Sequence, residues 1–132
     1  MILELILALT PADYEHLARA VQVEAVPNSM DEYCVAVSIL NRVKSPEFPD
    51  SVSGVINSPG QYEGFVYRSP APEPEVINKL KDTDRLLEAY DIIGDRTDFK
   101  GQSMLPYRVP SEDPMCSPEG NFYHYHWQTT SK

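Results

Sequence analysis

The stretch LARAVQVEAVPNSMDEYCVAVSILNRV, Leu17–Val43, decides the fold, because two helical periodicities meet in it at a single proline. Before Pro27, apolar side chains recur as Tyr14, Leu17, Ala18 and Val21, the spacing of a helix with one buried stripe. Thr10 reads as the N-cap, Pro11 as the first helical residue and Asp13 as a first-turn acid, so a helix is expected over Ala12–Val26. After Pro27, Ser29 and Glu32 have the spacing of a capping box. Tyr33, Ala36, Val37, Leu40 and Val43 then repeat helically, and Cys34, Val35 and Ile39 widen the apolar surface. This second helix, within Asn28–Ser45, is predicted to be central and the most buried.

Working outward, the chain has 132 residues, 12 of them proline. A proline inside a helix costs about 3 kcal/mol, so proline-free windows mark where helices can run. A third such window, Glu75–Leu105, carries Leu86, Leu87, Tyr90 and Ile93 at helical spacing, with Gly94 placed as a C-terminal cap. A short helix is expected around Ser51–Asn57, and the apolar Met1–Leu9 as a short helix or strand on the core. Aromatic-rich Gly60–Tyr67 and Asn121–Trp127 read as short strands. Ser45–Pro74 and Thr97–Pro118 hold much of the proline and glycine and read as stiff connections framing a cleft. The expected class is α+β, mainly helical, a single domain over residues 1–132 with a small β region and long Pro-rich loops.

Charge and cysteine content narrow the function classes. A net charge of −9 disfavours a nucleic-acid binder, which needs clustered Lys and Arg, and disfavours docking on an anionic membrane. Met1–Leu9 lacks a basic flank and a small-residue cleavage site, so no secretion signal is expected there. Cys34 and Cys116 are too few for a disulfide scaffold. Cys34 reads as a buried free thiol, with a Cys34–Cys116 bridge left open.

Glu24 is the most informative residue. It falls where the stripe of the first long helix calls for an apolar side chain, at the C-terminal end of that helix. There the macrodipole opposes a negative charge, and burial would desolvate it; both effects are expected to raise its pKa. A carboxylic acid that keeps its proton near neutral pH is what cleavage of a glycosidic bond requires. Periodicity alone leaves two other readings open, a solvated side chain or a structural buried acid.

The same residues carry a resemblance. LARAVQVEA (Leu17–Ala25), VAVSILNRVKSPEFPDSVSGVI (Val35–Ile56) and PGQYEG (Pro59–Gly64) resemble, in order, the SleB/CwlJ-type cell wall hydrolases. GNFYHYHW (Gly120–Trp127) is similar to the closing segment of that family. The resemblance implies a lysozyme-like, peptidoglycan-cleaving domain with an active-site plan similar to goose-type lysozymes and lytic transglycosylases. It places the family's catalytic glutamate on Glu24. One departure stands out: the family usually continues with a second acidic residue, whereas this chain reads EAVPN over Glu24–Asn28. Asp31 or Glu32 could stand in, although helix-start charge is the commoner role for such residues.

The implied reaction cleaves the β-1,4 bond between N-acetylmuramic acid and N-acetylglucosamine. Either Glu24 serves alone as acid and then base, giving lytic transglycosylation, or a second carboxylate positions water, for which Glu63, two residues after Gln61, is the best local candidate. Gln61, Tyr62, Glu63, Tyr123 and His124 are expected to bind the glycan. Asn41 is read as orienting loop backbone, and Arg42 as ion-pairing a core-facing acid. His124 and His126 form an H-x-H pair, but only His16 remains as a third histidine, so no metal or other cofactor is expected. The expected partner is peptidoglycan. The compact, signal-free chain suits a bacteriophage lysis enzyme or a hydrolase carried with virion proteins. It would then lie in the virion or the host cytoplasm before acting on the wall. The competing reading is a catalytically inactive glycan-binding or structural virion protein of the same fold.

Overall fold

A computed structural model describes residues 2–58, 70–101 and 113–126. Six helices and two strands follow in order: α1 Ile2–Leu7, α2 Pro11–Glu24, α3 Asp31–Lys44, α4 Val52–Ile56, α5 Pro74–Leu80, α6 Thr83–Ile93, β1 Asp98–Lys100 and β2 Phe122–His124.

The first long helix starts as its residues dictate. Thr10 Oγ1 accepts from the Asp13 amide at 3.1 Å while the Asp13 carboxylate accepts from the Thr10 amide at 3.0 Å, a closed capping box. Leu17, Ala18, Ala20 and Val21 are buried, so the stripe faces the core as its period requires. α2 ends at Glu24, short of Pro27, with the Ala25 amide donating back to the Val21 carbonyl.

α3 is the central element. Every residue from Cys34 to Arg42 is buried, and the helix packs against α1, α2, α4, α6 and β1. Burying a Leu or Ile side chain fully is worth about 1.5–3 kcal/mol, so Ile39 and Leu40, both at 0% exposure, are major anchors. Its N-terminus departs from the expected capping box. Met30 takes the cap position with helical backbone angles, Ser29 Oγ donates to the Val26 carbonyl, and Glu32 pairs with Lys79 instead of reaching back. The tight turn after Pro27, with Asn28 at φ 59°, explains the difference: it hands the Ser29 hydroxyl to the preceding backbone.

The third window forms two helices rather than one. Asp82 stops α5 and restarts the chain as N-cap of α6, its carboxylate accepting from the Arg85 amide at 3.2 Å. Gly94 caps α6 at φ +62°, a conformation in which side chains are strained. α1 and α4 form where short helices were expected, with Ile2, Ile6, Val52, Val55 and Ile56 buried.

The small sheet is antiparallel, pairing Asp98 with His124, Phe99 with Tyr123 and Lys100 with Phe122. β1 falls inside a stretch read as loop. The expected strand over Asn121–Trp127 is regular only over Phe122–His124, and its alternation fails beyond that: Tyr123 is 0% exposed but Tyr125 is 55% exposed. The Gly60–Tyr67 expectation lies outside the described residues. Cys34 is not a free thiol. It is bonded to Cys116, which fastens the segment before β2 to the first turn of α3 across 82 residues of sequence.

Candidate active site around Glu24

Glu24 is the last residue of α2 and is half-buried. The carbonyls of a helix's last turn have no partner within the helix and must find one outside it. For Glu24 that partner is Asn121, whose Nδ2 donates to the Glu24 carbonyl at 3.0 Å from the chain just before β2. The same Nδ2 donates to Asp31 Oδ2 at 3.0 Å, so both amide hydrogens are engaged.

Asp31, read from the sequence as a stand-in acid or a helix-start charge, has a burial and a set of partners that sequence reasoning did not anticipate. It opens α3 but is 0% exposed, where a helix-start charge would face water. Its carboxylate accepts from the Val26 amide (3.1 Å), the Asn121 amide (3.3 Å), Asn121 Nδ2 (3.0 Å) and the Tyr123 hydroxyl (2.7 Å). Donors from separate segments thereby satisfy a charge that would otherwise be costly to bury. Gly120 makes the approach feasible, because a Cβ there would lie 2.8 Å from Asp31 Cγ. Glu32 is buried too, but its Oε1 takes a 3.3 Å bond from Lys79, which also reaches Asn28 Oδ1 at 2.7 Å. The one hint in the sequence was the pairing of adjacent acids with a strand of Asn and Tyr, and nothing local says that the two meet.

Tyr123 was expected to bind glycan. The structure corrects this: its ring is wholly buried, stacked at a tilt on Phe99 at 5.7 Å, and its hydroxyl is spent on Asp31. His124 is half-buried, with Nδ1 3.0 Å from the Tyr125 carbonyl, on the strand edge opposite Asp98. Gln61, Tyr62 and Glu63 lie outside the described residues. The chain that follows them is tied to α2: Arg19 Nε donates to the Pro70 carbonyl at 2.9 Å, and Gln22 brackets Ala71 and Glu73.

Asn41 and Arg42 do what was expected of them. Asn41 Nδ2 holds the Gly94 and Arg96 carbonyls at 2.8 and 2.7 Å, and Arg42 bonds the Thr97 carbonyl and the Asp98 carboxylate. Asp98 also meets His126 Nδ1 at 3.0 Å, so His126 is turned toward a carboxylate. Among the described residues no group of three His, Cys, Asp or Glu side chains is placed to hold a metal. No helix of the described residues is long and apolar enough to cross a membrane. A cleft of about 410 Å³ opens between Lys44, Asp95, Tyr125 and His126, at the far end of α3 from Asp31; a second, of about 360 Å³, lies beside Asn28, Lys79 and Arg85. Glu24 lines neither.

A helical layer wrapped on one buried helix, with a two-stranded sheet at its side, defines a mainly helical α+β domain. Residues 28–130 match the family described as Cell Wall Hydrolase, and the chain belongs to that family, whose substrate is peptidoglycan. The matched residues begin just after Glu24. The fold is similar to the catalytic domain of the germination-specific lytic transglycosylase SleB from Bacillus anthracis, at 22% identity and TM-score 0.60, covering 88% of this chain and 96% of that one. The catalytic domain of the Bacillus cereus SleB protein is similar to the same degree, at 22% identity, TM-score 0.61, and 88% and 91% coverage. No curated protein matches the chain.

Proposed function

We propose that this domain cleaves the MurNAc–GlcNAc β-1,4 bond of peptidoglycan as a lytic transglycosylase, with Glu24 as its single acid and base. The observation that carries the reading is a half-buried glutamate ending α2 whose backbone carbonyl is held from outside the helix by Asn121. Glu24 delivers its proton to the glycosidic oxygen as the bond to C1 breaks, and positive charge spreads over C1 and the ring oxygen. The carboxylate left behind takes the proton of the muramyl 6-hydroxyl as that oxygen bonds to C1. The product is a 1,6-anhydro end, Glu24 regains its proton, and no water is consumed.

The rival course uses water instead of the 6-hydroxyl and needs a second carboxylate, for which Glu63 is the candidate from the sequence. Product mass separates the two: reducing ends are heavier than anhydro ends by one water, about 18 Da. Glu24→Gln keeps the shape of the side chain but has no proton to transfer. Its clearing rate on purified peptidoglycan should fall at least 100-fold, the lower end of what general acid–base catalysis contributes. A variant that clears walls at the wild-type rate would refute the assignment. If neither form clears walls and both sediment with them, the domain is a glycan binder. The Cys34–Cys116 bridge supports a working place outside a reducing cytoplasm, on the wall itself.

A further inference from the structure

The mechanism uses one carboxylate, yet a second one, wholly buried, lies within the same local network. Asp31 and Asn121 close a ring around the end of α2. The Glu24 carbonyl accepts from Asn121 Nδ2, Asn121 Nδ2 donates to Asp31 Oδ2, and Asp31 Oδ2 accepts from the Val26 amide. The backbone on both sides of Ala25 is therefore held, at a place where helix ends otherwise fray. The remaining bonds of Asp31, from the Asn121 amide and the Tyr123 hydroxyl, fix the carboxylate itself to the entrance of β2. Gly120 leaves room for that contact by having no Cβ.

We propose that Asp31, acting through Asn121, is a positioning residue that sets the direction in which Glu24 presents its carboxyl group. This rests on the reading of Glu24 as the acid, and it assigns to this chain a device in place of the second acidic residue missing from EAVPN. Asp31 bonds the Val26 amide directly and reaches the Glu24 carbonyl through Asn121, so it holds the backbone that leaves the Glu24 side chain. A catalytic carboxyl must stay within about an ångström of its productive position, and a displacement of that size costs on the order of 100-fold in rate. A contact that only supports the fold would change stability and leave turnover per folded molecule unaltered.

The test compares wild type with Asn121→Ser, Asp31→Asn, Glu24→Gln and Thr10→Ala. Thr10→Ala loosens the opposite end of α2 and controls for simple destabilisation. Turnover is read as soluble muropeptide released per folded molecule at saturating peptidoglycan, and affinity as sedimentation with intact walls. Asn121→Ser and Asp31→Asn should each lower turnover roughly 10- to 100-fold, with affinity changed less than about twofold. Combined, they should lose little more than either alone, because they break one unit. Exchange of the Val26 amide should quicken at least tenfold in Asp31→Asn, while Thr10→Ala keeps wild-type turnover. Should Asp31→Asn fail to fold, Asn121→Ser alone decides. Folded Asn121→Ser with turnover within about twofold of wild type, or with a loss matched by its loss of folded fraction, overturns the positioning role. Wild-type clearing by Glu24→Gln would overturn the reading of Glu24 itself, a result independent of how the Asn121 variant behaves.

Discussion

Tyr90, Asp95 and Lys44 show how a single surface contact sets its own pH window. The Tyr90 hydroxyl donates to Asp95 Oδ1 at 2.6 Å, and Lys44 Nζ reaches the same oxygen at 3.1 Å. The Tyr90 bond, then the Lys44 bond, hold the Asp95 carboxyl below its ordinary value of 3.8, and the Asp95 bond, then burial, lifts the Tyr90 phenol above 10.0. A lowered aspartate pKa stabilises the fold fully above 3.8 and ceases to do so as pH falls through the lower folded value. A raised phenol pKa stabilises it below 10.0 and is lost as pH rises through the higher folded value. Tyr90→Phe should therefore flatten both outer limbs of a melting-temperature profile while altering the neutral plateau by no more than about 1–2 °C, since solvent screens so exposed a pair. Limbs as steep as wild type would show that the bond is not kept in solution. At this same scale, the place of Glu24 at the end of α2 was legible because periodicity marks a polar residue on an apolar stripe. Asp31 was not, because its neighbours Asn121 and Tyr123 stand some ninety residues away, and only the folded chain brings them together. Tyr123 was misread for a related reason: alternation says which residues share a face of a strand, not which face turns inward.

Elements were legible where local chemistry decides them. Thr10, Pro11 and Asp13 determine the start of α2 without help from elsewhere, and the closed capping box follows from their spacing. Ser29 and Glu32 have the same spacing, yet the turn at Asn28 and the pull of Lys79 on Glu32 outcompete the box. Tertiary partners can thus override a local signal. The break between α5 and α6 is set by Asp82 capping one helix as the other ends, in a stretch without proline. The short β1 strand was hidden because it forms only when β2 arrives from much later in the chain. Loss of an N-cap side chain costs about 1 kcal/mol. Thr10→Ala should accordingly lower the melting temperature by about 3 °C, the shift expected for that energy in a domain of this length. A melting temperature equal to wild type would mean that the exposed box contributes nothing in water. An equal shift from Asp82→Ala at the start of α6 would show that the two caps, made on separate helices, carry similar weight.

At the scale of the whole molecule, one covalent link and one buried charge act on the same junction. Cys116 lies just ahead of Gly120, Asn121 and β2, and Cys34 one turn into α3 from Asp31, so the bridge draws the C-terminal segment toward the residues it must meet. The bond closes 82 residues of chain, for which the chain-entropy model gives about 4.5 kcal/mol of stabilisation relative to the open chain. In a domain of this size that corresponds to a fall of roughly 10–15 °C in melting temperature when the bond is reduced. The free sulfur atoms would remain packed against α3, so reduction should leave most of the helical core in place and be felt first where the C-terminal segment docks. Thiol reductant should therefore quicken amide exchange at Asn121 and Tyr123 before it affects Ile39 or Leu40 in the middle of α3. It should also lower wall-clearing turnover at temperatures where the helices remain folded, because the docking of Asn121 on the Glu24 carbonyl depends on that segment staying in place. Cys34→Ala with Cys116→Ala should reproduce the effect without reductant, separating loss of the bond from any other action of the thiol. If the reduced protein melts within about 2 °C of the oxidised one and clears walls as fast, the C-terminal segment is held by Asp31 and its donors alone, and the bridge adds only redundancy.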